Sequence, residues 1–182
     1  MIKKLRAGIF GGSFNPPHLA HQLIAQKALD ELDIDLLIIL PAYQNPLKNI
    51  SPSPSKVRLN WCKKIFDDKK MLVSSYEIDN KIHYTYESIE YFNELYEVKY
   101  LIIGSDNIKD LTKWRNFEWI NDTIAWIVFT RDDIAVDTSL LKRYKIIKFD
   151  LPINSTEIRQ SGNLKHIDDK IKQSVKNILE GK

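Results

Sequence analysis

The stretch Lys4-Leu5-Arg6-Ala7-Gly8-Ile9-Phe10-Gly11-Gly12-Ser13-Phe14-Asn15-Pro16-Pro17-His18-Leu19-Ala20-His21 decides the reading of the fold. Leu5 to Phe10 reads as a first buried strand. Gly11-Gly12 follows as a turn, where the missing Cβ permits unusual backbone angles and close approach of a ligand. Pro16-Pro17 then interrupts the backbone. Leu19 to Leu32 carries Ala20, Ile24, Ala25, Ala28 and Leu32 as an apolar stripe at helical spacing. A strand that turns through glycines into a helix is the opening unit of an α/β fold. It is also a cradle for phosphate, because free amides and the dipole at a helix start favour anions.

The same alternation runs outward from this unit. Leu36 to Leu40 is a continuous apolar run ending at Pro41, as expected of a parallel strand covered on both faces. Ala42 to Ser55 reads as a loop, Lys56 to Asp67 as a helix, and Met71 to Ser75 as a short strand before a polar turn at Asp79-Asn80-Lys81. Tyr84 to Leu95 is helical. Tyr100 to Gly104, Ile124 to Phe129 and Tyr144 to Phe149 are strands, and Thr156 to Ser161 and Ile167 to Leu179 are helices. The expected fold is a doubly wound, Rossmann-like parallel sheet with helices on both faces, forming a single domain over residues 1–182. Ligands of such folds bind at the carboxyl ends of the strands. The segments after Phe10, Leu40, Gly104 and Phe129 should therefore share one rim.

Composition narrows the class. The chain has 182 residues and a net charge of +3, which suits a phosphate-bearing ligand but is too small and dispersed for nucleic acid. The lone Cys62 lies in an apolar helical pattern and reads as a small buried side chain. The chain opens with no signal-peptide pattern, and no apolar run approaches the ~18 residues of a membrane span. A cytoplasmic location is the expectation, with no membrane partner. A homo-oligomer is compatible with the sequence.

His18 and His21 stand three residues apart at a helix start, so both imidazoles face the same way. They can donate to phosphate oxygens and stabilise charge on a leaving pyrophosphate. Two surface histidines beside a tight turn, or a metal site completed by His83, are the other readings of that spacing. The Walker spacing G-x-x-x-x-G-K-S/T is absent, as is G-x-G-x-x-G. Far downstream, Ile153-Asn154-Ser155-Thr156-Glu157-Ile158-Arg159 follows a strand and Pro152. Ser155 or Thr156 can cap a helix there, and Arg159 lies one turn on, which makes a second anion site or an ordinary capped helix with a surface arginine.

Together these motifs carry a resemblance. Gly8 to His21 is similar to the G-x-F-D-P-x-H-x-G-H signature of the nucleotidyltransferase superfamily, and Ile153 to Arg159 to its I-S-S-T-x-x-R signature. Ile103-Gly104-Ser105-Asp106-Asn107 with Leu111 and Trp114 resembles the I-G-x-D-x-L…W segment of bacterial nicotinate-nucleotide adenylyltransferases. Asn45-Pro46-Leu47-Lys48 resembles their P-P-H-K loop, Ser55 with Arg58 the S…R after it, and Tyr84-Thr85-Tyr86-Glu87-Ser88 their Y-T-x-x-T helix start. Departures are Asn15 for Asp, Ala20 for the Gly between the histidines, Asn154 for Ser, Leu47 for His, Ser88 for Thr, and Ser161 where a second Arg is usual.

The resemblance implies transfer of AMP from ATP to nicotinate mononucleotide, with magnesium bound through the ATP phosphates and no dedicated metal site on the protein. His18, His21 and Arg159 are the expected catalytic groups. Gly11, Gly12, Ser13, Phe14, Gly104, Asp106, Ser155 and Thr156 are expected on the nucleotide. Lys48, Arg58 and Arg131 are candidate clamps for the mononucleotide phosphate, although each taken alone reads as a surface charge. Asp106 can accept from ribose hydroxyls or cap a helix. Trp114 can stack on a pyridine ring or sit in the core, and Thr85 can meet the nicotinate carboxylate or cap its own helix. A pantetheine-phosphate adenylyltransferase, a cytidylyltransferase and a non-catalytic nucleotide sensor share the phosphate motifs as alternatives.

Overall fold

In the computed structural model, residues 3–47, 53–130 and 136–181 are described. The strands are β1 (Arg6–Gly12), β2 (Leu36–Pro41), β3 (Met71–Val73), β4 (Glu97–Gly104), β5 (Ala125–Thr130) and β6 (Tyr144–Lys148). The helices are α1 (Leu19–Glu31), α2 (Ser55–Ile65), α3 (Tyr76–Asn80), α4 (Thr85–Leu95), α5 (Phe117–Thr123), α6 (Ser155–Ser161) and α7 (Asp169–Leu179), with a 3₁₀ helix over Ser105–Lys113. All five ladders are parallel and the strand order is β3-β2-β1-β4-β5-β6. That is the doubly wound order with its switch point between β1 and β4.

The period of two along the strands divides the interior cleanly. Phe10, Leu37, Ile39, Ile102, Ile127, Phe129 and Ile147 face one layer, built from Ala25 and Ala28 of α1, Trp61, Cys62 and Ile65 of α2, Ile158 of α6 and Ile171 and Val175 of α7. Their neighbours Ile9, Ile38, Leu40, Leu101, Ile103, Trp126 and Val128 face the other, against Ile89 and Phe92 of α4, Leu111 of the 3₁₀ helix and Ile120 of α5. Strands covered on both faces have no polar side to alternate with, which is why they read as unbroken apolar runs. Cys62 is fully buried, and burial pushes its thiol well above the ordinary range.

Three elements depart from expectation. The polar turn at Asp79-Asn80-Lys81 is the end of the short helix α3, closed by Lys81 in the left-handed region at φ 55°. The 3₁₀ helix and α5 were not anticipated, since nine and seven residues give too few turns for a clear apolar period. The glycine turn also differs. Gly11 and Gly12 complete β1, and neither has positive φ; the left-handed residue is Phe14, at φ 46°, one residue before the cis peptide Asn15–Pro16.

Asn121 at the end of α5 is 2% exposed. Its Oδ1 accepts from Trp126 Nε1 at 2.9 Å and from the Lys142 amide at 3.1 Å, and its Nδ2 donates to the Leu140 carbonyl at 2.8 Å. It ties the segment before β6 to the core of β5. Asn121→Ala strands the buried indole N–H, so urea unfolding should show a loss of about 2 kcal/mol, the scale of an unsatisfied buried donor.

Candidate active site

The carboxyl ends of β1, β2, β4 and β5 open onto one cleft of about 1220 Å³, above the usual size of a drug-sized ligand pocket and roomy enough for two nucleotides. Its lining includes Gly11 to Asn15, His18 and His21 on one side and Ser155, Thr156 and Arg159 beside them. Thr85, Asp106 and Trp114 stand along the same rim. The four strand-end segments therefore meet as the α/β topology requires.

His18 is the N-cap of α1 and His21 its third residue. Their rings lie 3.8 Å apart between centroids, tilted by 37°. The His18 backbone N–H donates to His21 Nδ1 at 3.2 Å. An accepting Nδ1 carries no proton, so neutral His21 presents Nε2–H as a donor. Phe14 supports this pair. Its ring is 1% exposed and meets His21 edge-on at 5.1 Å, Phe10 at 5.4 Å and Phe66 at 5.7 Å. The Phe14 ring is a buried wedge beneath His21, so the part of this residue left for the expected nucleotide contact is its backbone on the cleft wall. Gly12 makes room for that wedge: a Cβ there would stand 3.2 Å from the Phe14 ring. Gly11 faces open space within the cleft.

The two phosphate motifs meet here. Arg159 Nη1 donates to the Asn15 carbonyl at 2.5 Å, and Ser155 Oγ donates to the Pro16 carbonyl at 3.0 Å, across 144 and 139 residues of chain. Arg159 Nη2 also donates to Thr156 Oγ1 at 3.0 Å, which leaves the Thr156 hydroxyl proton free to point elsewhere. The cap of α6 is Asn154, whose Oδ1 accepts from the Glu157 amide at 2.8 Å. The expected capping role of Ser155 or Thr156 is thus corrected, and the Ser155 hydroxyl proton is spent on Pro16.

On the rim beyond β4, Asp106 is exposed in the 3₁₀ helix, whose N-cap is Gly104. A Cβ on Gly104 would lie 2.5 Å from Asp106 Oδ1, so glycine is what lets this carboxylate fold back over the end of β4. Trp114 is half-buried, its ring edge-on to Trp126 at 6.1 Å between centroids. Thr85 is the first residue of α4, and Tyr84 occupies its N-cap. Ala20 is buried, 4% exposed, and lines the cleft.

Arg58 is corrected more sharply. It is 1% exposed, and its guanidinium donates to four backbone carbonyls: Ser13 at 2.6 Å, Ala42 at 2.7 Å, Tyr43 at 3.0 Å and Ser53 at 3.2 Å. Burial lowers its pKa from the usual range. With four of five donors committed, it braces the loops and does not clamp a phosphate. Lys48 and Arg131 lie outside the described residues.

Sequence reasoning missed Arg115, which lines the cleft with its guanidinium 5.3 Å from the centroid of the Tyr84 ring. Its place directly after Trp114 was the available signal. Glu77, buried beneath the loop after β2, was also missed, since nothing in a short polar segment marks one carboxylate for burial.

Comparison with known proteins agrees with this geometry. The cytidylyltransferase-like family profile matches residues 9–161. A Sulfurovum protein named "Probable nicotinate-nucleotide adenylyltransferase" is 51% identical over 181 residues, 98% of this chain and 96% of its own. A protein of the same name from Aliarcobacter butzleri is 36% identical over 98% of this chain and 99% of its own. In fold, the chain is similar to Plasmodium falciparum nicotinic acid mononucleotide adenylyltransferase complexed with NaAD, with a TM-score of 0.74 and 22% identity over 97% of this chain and 95% of that one. The chain belongs to the cytidylyltransferase-like family and, within it, to the nicotinate-nucleotide adenylyltransferases.

Proposed function

We propose that residues 1–182 act as one cytoplasmic catalytic unit that transfers AMP from ATP to nicotinate mononucleotide, giving nicotinate adenine dinucleotide and pyrophosphate. The observation that carries this reading is the junction of the two phosphate motifs, where Arg159 and Ser155 hold the carbonyls of Asn15 and Pro16 beside the histidine pair. The names of relatives at 51% and 36% identity over nearly their whole length support the choice of acceptor.

An oxygen of the acceptor phosphate attacks the α-phosphorus of ATP in line. The new P–O bond forms as the bond to the bridging oxygen of pyrophosphate breaks. The nucleophile is already an anion, so no base is required, and catalysis consists of positioning and charge stabilisation. His18 serves the α and β phosphates. His21, through Nε2–H, serves the outer phosphates or the ribose. Arg159 and the Thr156 hydroxyl receive the β and γ groups. Asp106 accepts from ribose hydroxyls and Trp114 stacks on the pyridine ring, while the start of α4 at Thr85 takes the carboxylate. Among the described residues no cluster of three or more His, Cys, Asp or Glu side chains could hold a metal ion. Magnesium bound through the ATP phosphates would neutralise part of their charge. No helix among the described residues is long and apolar enough to cross a membrane.

The direct test is pyrophosphate release from ATP with nicotinate mononucleotide, its amide analogue and 4′-phosphopantetheine as acceptors. Fast release is expected with the acid alone, and ATP binding without release for any acceptor would point to a sensor. His18→Asn keeps a good helix cap but removes the imidazole. Its kcat should fall about 100-fold with an unchanged melting curve, on the scale of a lost charge-stabilising donor. Trp114→Ala should raise KM for the mononucleotide by about tenfold, the upper range of an aromatic stacking contact, and leave KM for ATP near its original value.

A further inference from the structure

Beneath the acceptor end of the cleft lies a buried polar cluster with no part in the chemistry above. Glu77 of α3 is 9% exposed. Its Oε1 accepts from Ser88 Oγ of α4 at 2.8 Å, and its carboxylate also accepts from the backbone N–H of Tyr43. Arg58 of α2 faces the same spot and donates to the carbonyls of Ala42 and Tyr43. The same guanidinium reaches across to the Ser13 carbonyl. Buried carboxylates and guanidiniums are costly to desolvate, so a cluster of this kind calls for a reason.

We propose that Glu77 and Arg58 are positioning residues that hold the acceptor wall of the cleft in register with the phosphate loop. The connections run in series. Glu77 joins the loop after β2 to α4, whose first turn carries Thr85. Arg58 joins that same loop to Ser13, next to Phe14 and the histidine pair. The strand-end segment from Ala42 to Leu47, which lines the cleft, is held at its start, where Arg58 donates to the carbonyls of Ala42 and Tyr43 and Glu77 accepts from the Tyr43 amide. The ladder bonds of β2 stop at Pro41, apart from one further bond from the Ala42 amide to the Gly12 carbonyl. Beyond that point these two side chains take over the work of the sheet.

The cluster also makes the wall sensitive to pH. Burial raises the Glu77 carboxyl from 4.5 to about 7, against the opposing pull of Ser88, the Tyr43 amide and Arg58, and with a smaller push from Glu87 of α4. The ionised carboxylate accepts from Ser88 and Tyr43 together. Protonation turns one oxygen into a donor and weakens one of those bonds, so the acceptor wall loosens as pH falls through about 7. Folding stability runs the other way. A raised folded-state pKa means that the contribution of Glu77 is fullest below its ordinary value and is lost as pH rises toward about 7.

The inference rests on the adenylyltransferase reading for its kinetic arm, and a substrate-free arm separates the two. Glu77→Gln keeps the shape but cannot ionise, and Ser88→Ala removes one donor. In pyrophosphate-release assays, both variants should show KM for nicotinate mononucleotide raised about tenfold, the scale of one buried hydrogen bond, with KM for ATP within about twofold. The wild-type acceptor KM should rise more steeply as pH falls through about 7 than that of Glu77→Gln. Contributions of the site histidines are common to both proteins and cancel in that comparison. Amide hydrogen exchange over residues 42–47, read without substrate, should be faster in Glu77→Gln. Wild-type protein that releases no pyrophosphate defeats the adenylyltransferase reading and leaves the exchange result to decide this one. Unchanged exchange, or both KM values rising together with a lowered melting temperature, overturns the positioning role.

Discussion

The cleft exists because the chain leaves β1 toward β2 on one side and comes back to β4 on the other. At that reversal the segments that follow the strands diverge, and the space between them cannot be filled by either helix layer. Every site residue is placed relative to this gap. The glycine-histidine loop continues β1, the Ala42–Leu47 segment continues β2, Asp106 and Trp114 continue β4, and the Ser155–Arg159 segment follows β6. The two apolar layers, divided strand by strand, supply the rigidity from which these loops are hung.

The phosphate loop is then held by long-range bonds to its carbonyls. Arg58 takes Ser13, Arg159 takes Asn15 and Ser155 takes Pro16. The three donors come from α2 and α6, far away in sequence. Each bond fixes backbone that has left the sheet and has no ladder partner. The Phe14 ring does the same from below by packing under His21. Preorganisation of this kind suits a reaction whose nucleophile is already charged, where rate comes from placement of donors and not from proton transfer.

Arg58 and Arg159 illustrate how one residue type serves different ends. Arg58 spends its donors on carbonyls and becomes scaffold. Arg159 is half-buried, with burial lowering its pKa somewhat, and it keeps donors to spare after bonding Asn15 and Thr156. A guanidinium's fixed fork lets it join several acceptors at once, which suits either use. The number of carbonyls that the fold places around it decides which one it performs.

Much of this was legible in the residues. Unbroken apolar runs at Leu36–Leu40 and Tyr100–Ile103 are what strands buried on both faces look like, and their alternation with amphipathic segments points to a parallel doubly wound sheet. The histidine pair and the Ile153–Arg159 segment read as anion sites only when taken together, and the Asp106–Trp114 segment joined them through its resemblance to a known family and not through spacing alone. Other features depended on tertiary structure. Whether Arg58 meets a phosphate or four carbonyls, whether Phe14 presents or buries its ring, and whether Asn154 or Ser155 caps α6 depend on atoms supplied by distant segments. Local sequence determines periodicity and turn chemistry, because these act within a few residues. The partner of a polar side chain is set by which loops the sheet order brings together, and that is settled only when the whole chain has folded.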